Sequence, residues 1–168
     1  ISVLKRDPLT VLFQIPADDS RPAEFSSDSS EIISVTQNLH VQRWNIAQRK
    51  LMADQEISLP GGVWQTRVSP NGDVVAAYHY NGDLIIYDIK TGNELFKKKK
   101  FYLPHYIEYW TWLIAREYSD ENELVLLTMK FSPDGKYLLA GRQFSGGFLA
   151  SNEESIVVSI ADAKEVKV

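Results

Sequence analysis

The sequence predicts an all-β protein assembled from repeated four-stranded antiparallel units, and three observations carry that expectation. One turn motif recurs, as Phe25-Ser26-Ser27-Asp28-Ser29, Val68-Ser69-Pro70-Asn71-Gly72 and Phe131-Ser132-Pro133-Asp134-Gly135. Each copy leads into an apolar run of strand length: Ile32 to Val35, Val74 to Tyr78 and Tyr137 to Ala140. The spacing to the third strand is also constant, 19 residues from Phe25 to Trp44 and 19 again from Val68 to Tyr87. Proline presets the first central φ of such a turn, and Asn/Asp-Gly tolerates or supplies a left-handed position, so each motif ends one strand and starts the next.

Along the chain, residues 1–16 read as the end of a unit, with two strands between Val3 and Ile15 and Asp7-Pro8 as their turn. Residues 17–58 form the first full unit. Its strands fall at 32–35 and 40–45, and Ala47-Gln48-Arg49-Lys50 turns into a fourth strand at Leu51-Met52. Residues 59–100 form the second, with strands near 63–69, 74–79 and 83–89, then Lys90-Thr91-Gly92-Asn93 leading into Glu94-Leu95-Phe96. Residues 101–123 are an insertion rich in aromatic residues. Residues 124–168 form the last unit, with strands near 126–131, 137–141 and 155–160 and a fourth from Glu165 to Val168. There the same order is stretched by about ten residues, and the Gly/Ser-rich stretch from Phe144 to Glu154 is where a loop insertion belongs.

Phe131-Ser132-Pro133-Asp134-Gly135-Lys136-Tyr137-Leu138 and Ile85-Ile86-Tyr87-Asp88-Ile89-Lys90-Thr91-Gly92 resemble the first-turn and third-strand signatures of WD40-like β-propellers. The 43 residues from Phe25 to Val68 match the blade spacing of that family. The resemblance covers nearly the whole chain except residues 97 to 124. It implies a partial β-propeller of four-stranded antiparallel blades, with the aromatic-rich insertion 101–123 before the last blade. The Trp-Asp pair of the family occurs only as Trp44-Asn45 and Tyr87-Asp88, and no Gly-His dipeptide opens a blade, so the polar tetrad built from that His has no counterpart to assign. Lactonase-like and peptidase-associated propellers share the Ser-Pro-Asp-Gly turn and stay open. Without its insertions the chain amounts to just over three blades, whereas propellers close with about four to eight. It is therefore expected to be part of a longer protein, or an arc completed by a partner. The isolated chain is expected to associate, because an open arc leaves apolar blade faces uncovered.

Composition sets the outer limits. With 44% hydrophobic and 24% charged residues, the chain has the means to bury a core. Eighteen Lys+Arg against 22 Asp+Glu give a formal charge of -4, so no global basic field holds nucleic-acid phosphates, and DNA or RNA binding is reduced to a local role. No apolar run reaches the roughly 18 residues of a membrane span, and no transmembrane segment is expected. The absence of cysteine removes disulfides, thiolate zinc sites and cysteine nucleophiles, and points toward a reducing compartment, with the cytoplasm as the expected location.

The candidate partner-binding residues are Lys97, Lys98, Lys99 and Lys100, with Tyr106, Tyr109, Trp110 and Trp112 of the insertion. A basic tetrad beside Phe101-Tyr102 suits phosphate backbones or an anionic membrane surface. The weightier reading is a solvated outer edge whose lysines discourage sheet-to-sheet pairing. Exposed Trp and Tyr are preferred interface anchors, set here against ordinary packing of the aromatic segment. As a helix opened by Pro104, that segment would align Ile107, Trp110, Ile114 and Tyr118; as a strand, its aromatic and β-branched content is equally favourable. The sequence supports both.

Catalytic motifs are absent: there is no Gly-x-Ser-x-Gly elbow, Gly-x-x-x-x-Gly-Lys loop or His-Glu-x-x-His helix. His40 and His79 fall in comparable strand neighbourhoods and His105 begins the insertion, so no metal or cofactor site is expected. The expected function is a non-enzymatic protein-protein interaction scaffold, with partners or the remainder of a propeller at its edges. The alternative is the accessory propeller of a hydrolase or peptidase whose catalytic residues lie elsewhere. Trp44 and Tyr87 should be equivalent, as should Phe25, Val68 and Phe131, and Trp44→Ala should cost about 3–5 kcal/mol as a core truncation.

Overall fold

Alternating apolar residues bounded by tight turns give strands wherever the backbone is described, and the element bounds follow the turn motifs closely. The computed structural model describes residues 2–5, 10–15, 23–36, 38–59, 62–101, 124–145 and 154–166. All regular elements among them are strands. β1 (Ser2–Lys5) and β2 (Thr10–Gln14) form a two-stranded hairpin. The first four-stranded sheet is β3 (Ala23–Phe25), β4 (Glu31–Val35), β5 (His40–Asn45) and β6 (Lys50–Glu56). The second is β7 (Val63–Val68), β8 (Val74–His79), β9 (Leu84–Asp88) and β10 (Glu94–Lys98). The third is β11 (Leu124–Phe131), β12 (Tyr137–Ser145), β13 (Glu154–Ser159) and β14 (Lys164–Val166). Every pairing is antiparallel and between strands consecutive in sequence.

Two expectations need adjustment. Phe144 and Ser145 belong to β12, where they pair with Val125 and Leu124, so the hairpin arms of the third sheet run further than a loop starting at Phe144 allows. Of the insertion 101–123, only Phe101 is described. It is 1% exposed and stacks on Tyr78, ring centroids 6.0 Å apart and 7° from parallel. The helix-or-strand question for 105–118 lies outside the described residues.

The repeat is visible in the pairing register. Phe25 pairs Ile32, Ile32 pairs Trp44 and Trp44 pairs Leu51. Val68, Val75, Tyr87 and Glu94 make the same rung in the second sheet. Phe131, Leu138, Val158 and Glu165 make it in the third. The expected equivalences of Trp44 with Tyr87, and of Phe25 with Val68 and Phe131, therefore hold in register. They do not hold in burial, since Phe25 is 60% exposed, Val68 0% and Phe131 8%.

The difference lies in what covers each sheet. Ile33, Val35 and Val41 of the first sheet meet Val68, Val75, Ala77, Ile85 and Tyr87 of the second. Val74, Ala76, Tyr78, Leu84 and Ile86 of the second meet Phe131, Leu138, Ala140, Ile156 and Val158 of the third. In both contacts the forward face of one sheet takes the backward face of the next, through equivalent positions. Among the described residues, what stands behind the first sheet is the hairpin, with Val3 and Ile15 against Ile32 and Trp44. Two strands do not cover what four cover, and Phe25 on β3 is left in solvent. Among the described residues the sheets form an open series. β7 lies against β3 on one side and β11 on the other, so the first strands of successive sheets adjoin.

Trp44 is half-buried, and its buried indole N–H meets no acceptor among the described residues. Its truncation to alanine should therefore cost about 2–3 kcal/mol, less than the full-core value expected from sequence. Trp44→Phe should cost under about 1 kcal/mol, because it also removes a donor that gains nothing from burial. Urea denaturation of both variants checks the ordering.

Turns repeat as faithfully as strands. Left-handed φ occurs at Ser29 (59°), Gly72 (71°) and Gly135 (71°) between first and second strands. Between third and fourth strands it occurs at Arg49 (55°), Gly92 (71°) and Ala163 (51°). The second-to-third turn places Leu39 (60°) and Gly82 (89°) alike. A Cβ at Gly72 would meet the Arg43 guanidinium reaching across from the first sheet, and that flexible side chain would have to shift.

Candidate functional site

At one end of the sheets lie the turns that join first to second and third to fourth strands. Their geometry is set by short polar side chains that take backbone amides the ladder cannot satisfy. The serine hydroxyl of each repeated motif accepts the amide five residues on: Glu31 to Ser26 (2.9 Å), Val74 to Ser69 (3.1 Å) and Tyr137 to Ser132 (3.0 Å). Asp28 accepts the Ser26 hydroxyl (2.7 Å) and the Ser30 amide (3.0 Å), and Asp134 accepts the Ser132 hydroxyl (2.6 Å) and the Lys136 amide (3.1 Å). Donors from the Ser30 amide and then the Ser26 hydroxyl hold the Asp28 carboxyl down to about 2. The Ser132 hydroxyl and then the Lys136 amide hold Asp134 below the usual carboxylate range.

The closing turns repeat the device. Asn45 accepts the Gln48 amide (2.8 Å), Asp88 the Thr91 amide (2.7 Å) and Ser159 the Asp162 amide (3.4 Å). The Thr91 hydroxyl and amide lower the Asp88 carboxyl as well.

These turns also touch from sheet to sheet. The Ser27 amide donates to the Pro70 carbonyl (3.3 Å), and Arg43 donates to the Asn71 carbonyl (2.8 Å) while also pairing with Glu31 (3.3 Å). Asn71 in turn abuts the third turn, where a Cβ on Gly135 would stand 3.1 Å from its side-chain oxygen. The result is a continuous row of turns, 26–30, 69–73 and 132–136, which carries ionised carboxylates and hydroxyls on a braced backbone.

The basic tetrad sits at the other end. Lys97 and Lys98 close β10, the outer strand of the second sheet, and Lys99 and Lys100 turn away from it. The Lys97 ammonium lies 3.2 Å from Asp83, itself only 6% exposed, and the Lys98 ammonium lies 2.9 Å from Glu165 of the third sheet. The Lys100 amide donates to Asp83 (3.0 Å) and Asn81 completes the set (3.2 Å). Burial pushes the Asp83 carboxyl up, but the Lys100 amide, Lys97 and Asn81 together hold it below the usual carboxylate range. Half of the tetrad is thus bound up in joining strands and sheets, while Lys99 and Lys100 are exposed. Tyr106, Tyr109, Trp110 and Trp112 lie outside the described residues, as does His105.

The histidines serve different surroundings. His40 opens β5 with Nδ1 2.8 Å from Asp54. His79 closes β8, 4% exposed, with Nε2 3.0 Å from the Tyr87 hydroxyl. They flank equivalent turns from opposite sides, since the Thr36 amide donates to the His40 carbonyl (2.9 Å) just as the His79 amide donates to that of Asp83 (2.9 Å). Burial, with Glu94 and Asp83 nearby, pushes the Tyr87 hydroxyl up to about 12.

Asp83 and Arg43 escape sequence reasoning because each acts on a partner brought near only by sheet register or packing. The Asn81-Gly82-Asp83 turn is the one local signal for Asp83. Among the described residues no group of three His, Cys, Asp or Glu side chains is placed to hold a metal ion, and no helix is long and apolar enough to cross a membrane. No protein-family model and no curated protein matches this chain.

Proposed function

We propose that the chain is part of a WD40-like β-propeller that works as a non-enzymatic scaffold for protein-protein interaction in the cytoplasm, with residues 17–58, 59–100 and 124–168 as blades. The row of turns is the observation that supports this most. Three equivalent Ser turns are braced internally and touch in sequence, so several loops are presented in fixed relation, which suits multi-point recognition at low ordering cost. Forward-on-backward packing through equivalent positions, with first strands adjoining, is also what stacked repeat units require. The carboxylates of Asp28, Asp88 and Asp134, held ionised well below neutral pH, favour partners that offer backbone amides or basic side chains.

The test changes exposed side chains of the row without disturbing its turn bonds. A Ser27→Arg, Asp73→Arg variant should keep the thermal unfolding of the wild type and lose a defined set of proteins in quantitative affinity capture from matched extracts. An unchanged captured set with an intact fold would overturn the binding role of this end.

A further inference from the structure

The sequence holds two Asn-Gly pairs, Asn71-Gly72 and Asn81-Gly82, and an aspartate follows each, so the local chemistry is the same at both. Asn-Gly is the pair most given to losing its side-chain amide, because glycine has no side chain to obstruct its backbone nitrogen as it turns on the asparagine carboxamide. The two lie in like turns. The Gly72 amide donates to the Ser69 carbonyl (2.8 Å) and the Gly82 amide to the His79 carbonyl (2.9 Å), with the glycines left-handed at φ 71° and 89°. Both asparagines are exposed. Their surroundings separate them.

Arg43 crosses from the first sheet and donates from Nη2 to the Asn71 carbonyl (2.8 Å), while Glu31 holds its Nη1 (3.3 Å). That carbonyl belongs to the same peptide group as the Gly72 nitrogen. A guanidinium on the oxygen favours the anion formed when the nitrogen loses its proton, because the negative charge is shared between the two atoms. The Asn71 carboxamide makes no hydrogen bond among the described residues, which leaves it able to turn toward Gly72.

Asn81 is placed in the opposite way. Its Oδ1 accepts the Asp83 amide (3.0 Å) and its Nδ2 donates to the Asp83 carboxylate (3.2 Å), so the carboxamide is held at both atoms. The charge that it meets is a carboxylate, which opposes a second anion beside it.

We propose that Asn71 is a site of spontaneous covalent modification, promoted by the Arg43 guanidinium, and that the same fold spares Asn81. The Gly72 nitrogen gives up its proton to solvent base and attacks Asn71 Cγ. The N–Cγ bond forms, the Cγ–Nδ2 bond breaks and ammonia leaves with a proton taken from solvent. Water then opens the succinimide at either carbonyl, giving aspartate or, with the chain rerouted through Cβ and Cγ, isoaspartate; nothing is oxidised or reduced. Either product places a carboxylate near Arg43. Isoaspartate also adds a methylene to the main chain in the middle of the turn row, where the Pro70 and Asn71 carbonyls hold the first sheet and the Asn71 side chain abuts the third turn. The row thus alters with the age of the chain, whatever it binds.

The intact chain, held in mildly alkaline buffer, tests this when both sites are followed by peptide sequencing in the mass spectrometer, with heavy-oxygen water marking each opened ring. Asn71 should convert about tenfold faster than Asn81, the advantage that a charge-assisted hydrogen bond gives. In guanidinium, where the turns are gone, the two rates should converge. Arg43→Met should bring Asn71 down to the rate of Asn81 and leave Asn81 unchanged. Arg43→Gln, which keeps a neutral donor, takes its place if thermal unfolding shows that the methionine variant does not fold, and should also slow Asn71. Equal rates in the folded wild type, a difference that persists in guanidinium, or an unchanged Asn71 rate in a folded Arg43 variant would each overturn the proposal.

Discussion

Tyr78→Ala should destabilise the protein by about 4–5 kcal/mol, a larger loss than that of Trp44→Ala. Tyr78 is 0% exposed between the second and third sheets, stacked on Phe101 at 6.0 Å, and its hydroxyl donates to the Thr128 carbonyl (3.2 Å) with that of Gly141 at 3.4 Å. Alanine would leave a cavity in the cluster that joins the two sheets and release Phe101. Tyr78→Phe separates the contributions, since it keeps the ring and should cost about 1 kcal/mol for the lost hydrogen bond. Guanidinium denaturation measures both. Equal, small losses would mean that the two sheets do not depend on this contact.

Asp83→Ala should cost about 1.5–3 kcal/mol, because it removes the charged acceptor shared by the Lys100 amide, Lys97 and Asn81, three donors that solvent reaches in part. The effect should depend on pH in a defined direction. The folded-state carboxyl of Asp83 lies below its ordinary value, so its stabilisation is complete above about pH 4 and fades as the pH falls through the folded value. Asp83→Asn should accordingly differ most from the wild type near neutrality, with the gap narrowing as the pH falls below about 4. A gap that widens on acidification would contradict the assigned network. Tyr87 works in the opposite range: with its hydroxyl raised to about 12, stability should hold up to about pH 10 and decline above it.

The strands and their register were legible because the signals are local. Ser69-Pro70-Asn71-Gly72 dictates a turn, the following run dictates a strand, and a constant 19-residue offset places Trp44 and Tyr87 on the same rung. Burial was not legible from the same signals. Phe25 and Val68 occupy one position in the repeat, yet their exposure depends on the number of strands standing behind each sheet. The surface was read only in part. Lys97 and Lys98 lie on an outer strand, but the pairing of Lys98 with Glu165 joins residues 67 apart in the chain, which spacing does not reveal. The row of Ser turns was visible as a repeat and not as a surface, because its continuity depends on Arg43 and Asn71 crossing between sheets.

The left-handed turn positions make the sheets unequal in how readily they open. The second sheet has glycine at all three, Gly72, Gly82 and Gly92, whereas the first has Ser29, Leu39 and Arg49. Each of those side chains costs about 1 kcal/mol or more in a left-handed backbone, and their lower chain entropy in the unfolded state offsets only part of it. The first sheet therefore opens locally more readily than the second. Amide hydrogens of β4 and β5 should exchange with solvent through sub-global opening well before those of β8 and β9. In native-state hydrogen exchange the protection factors should divide along the boundary between these sheets, so that one chain behaves as a labile unit joined to a persistent one.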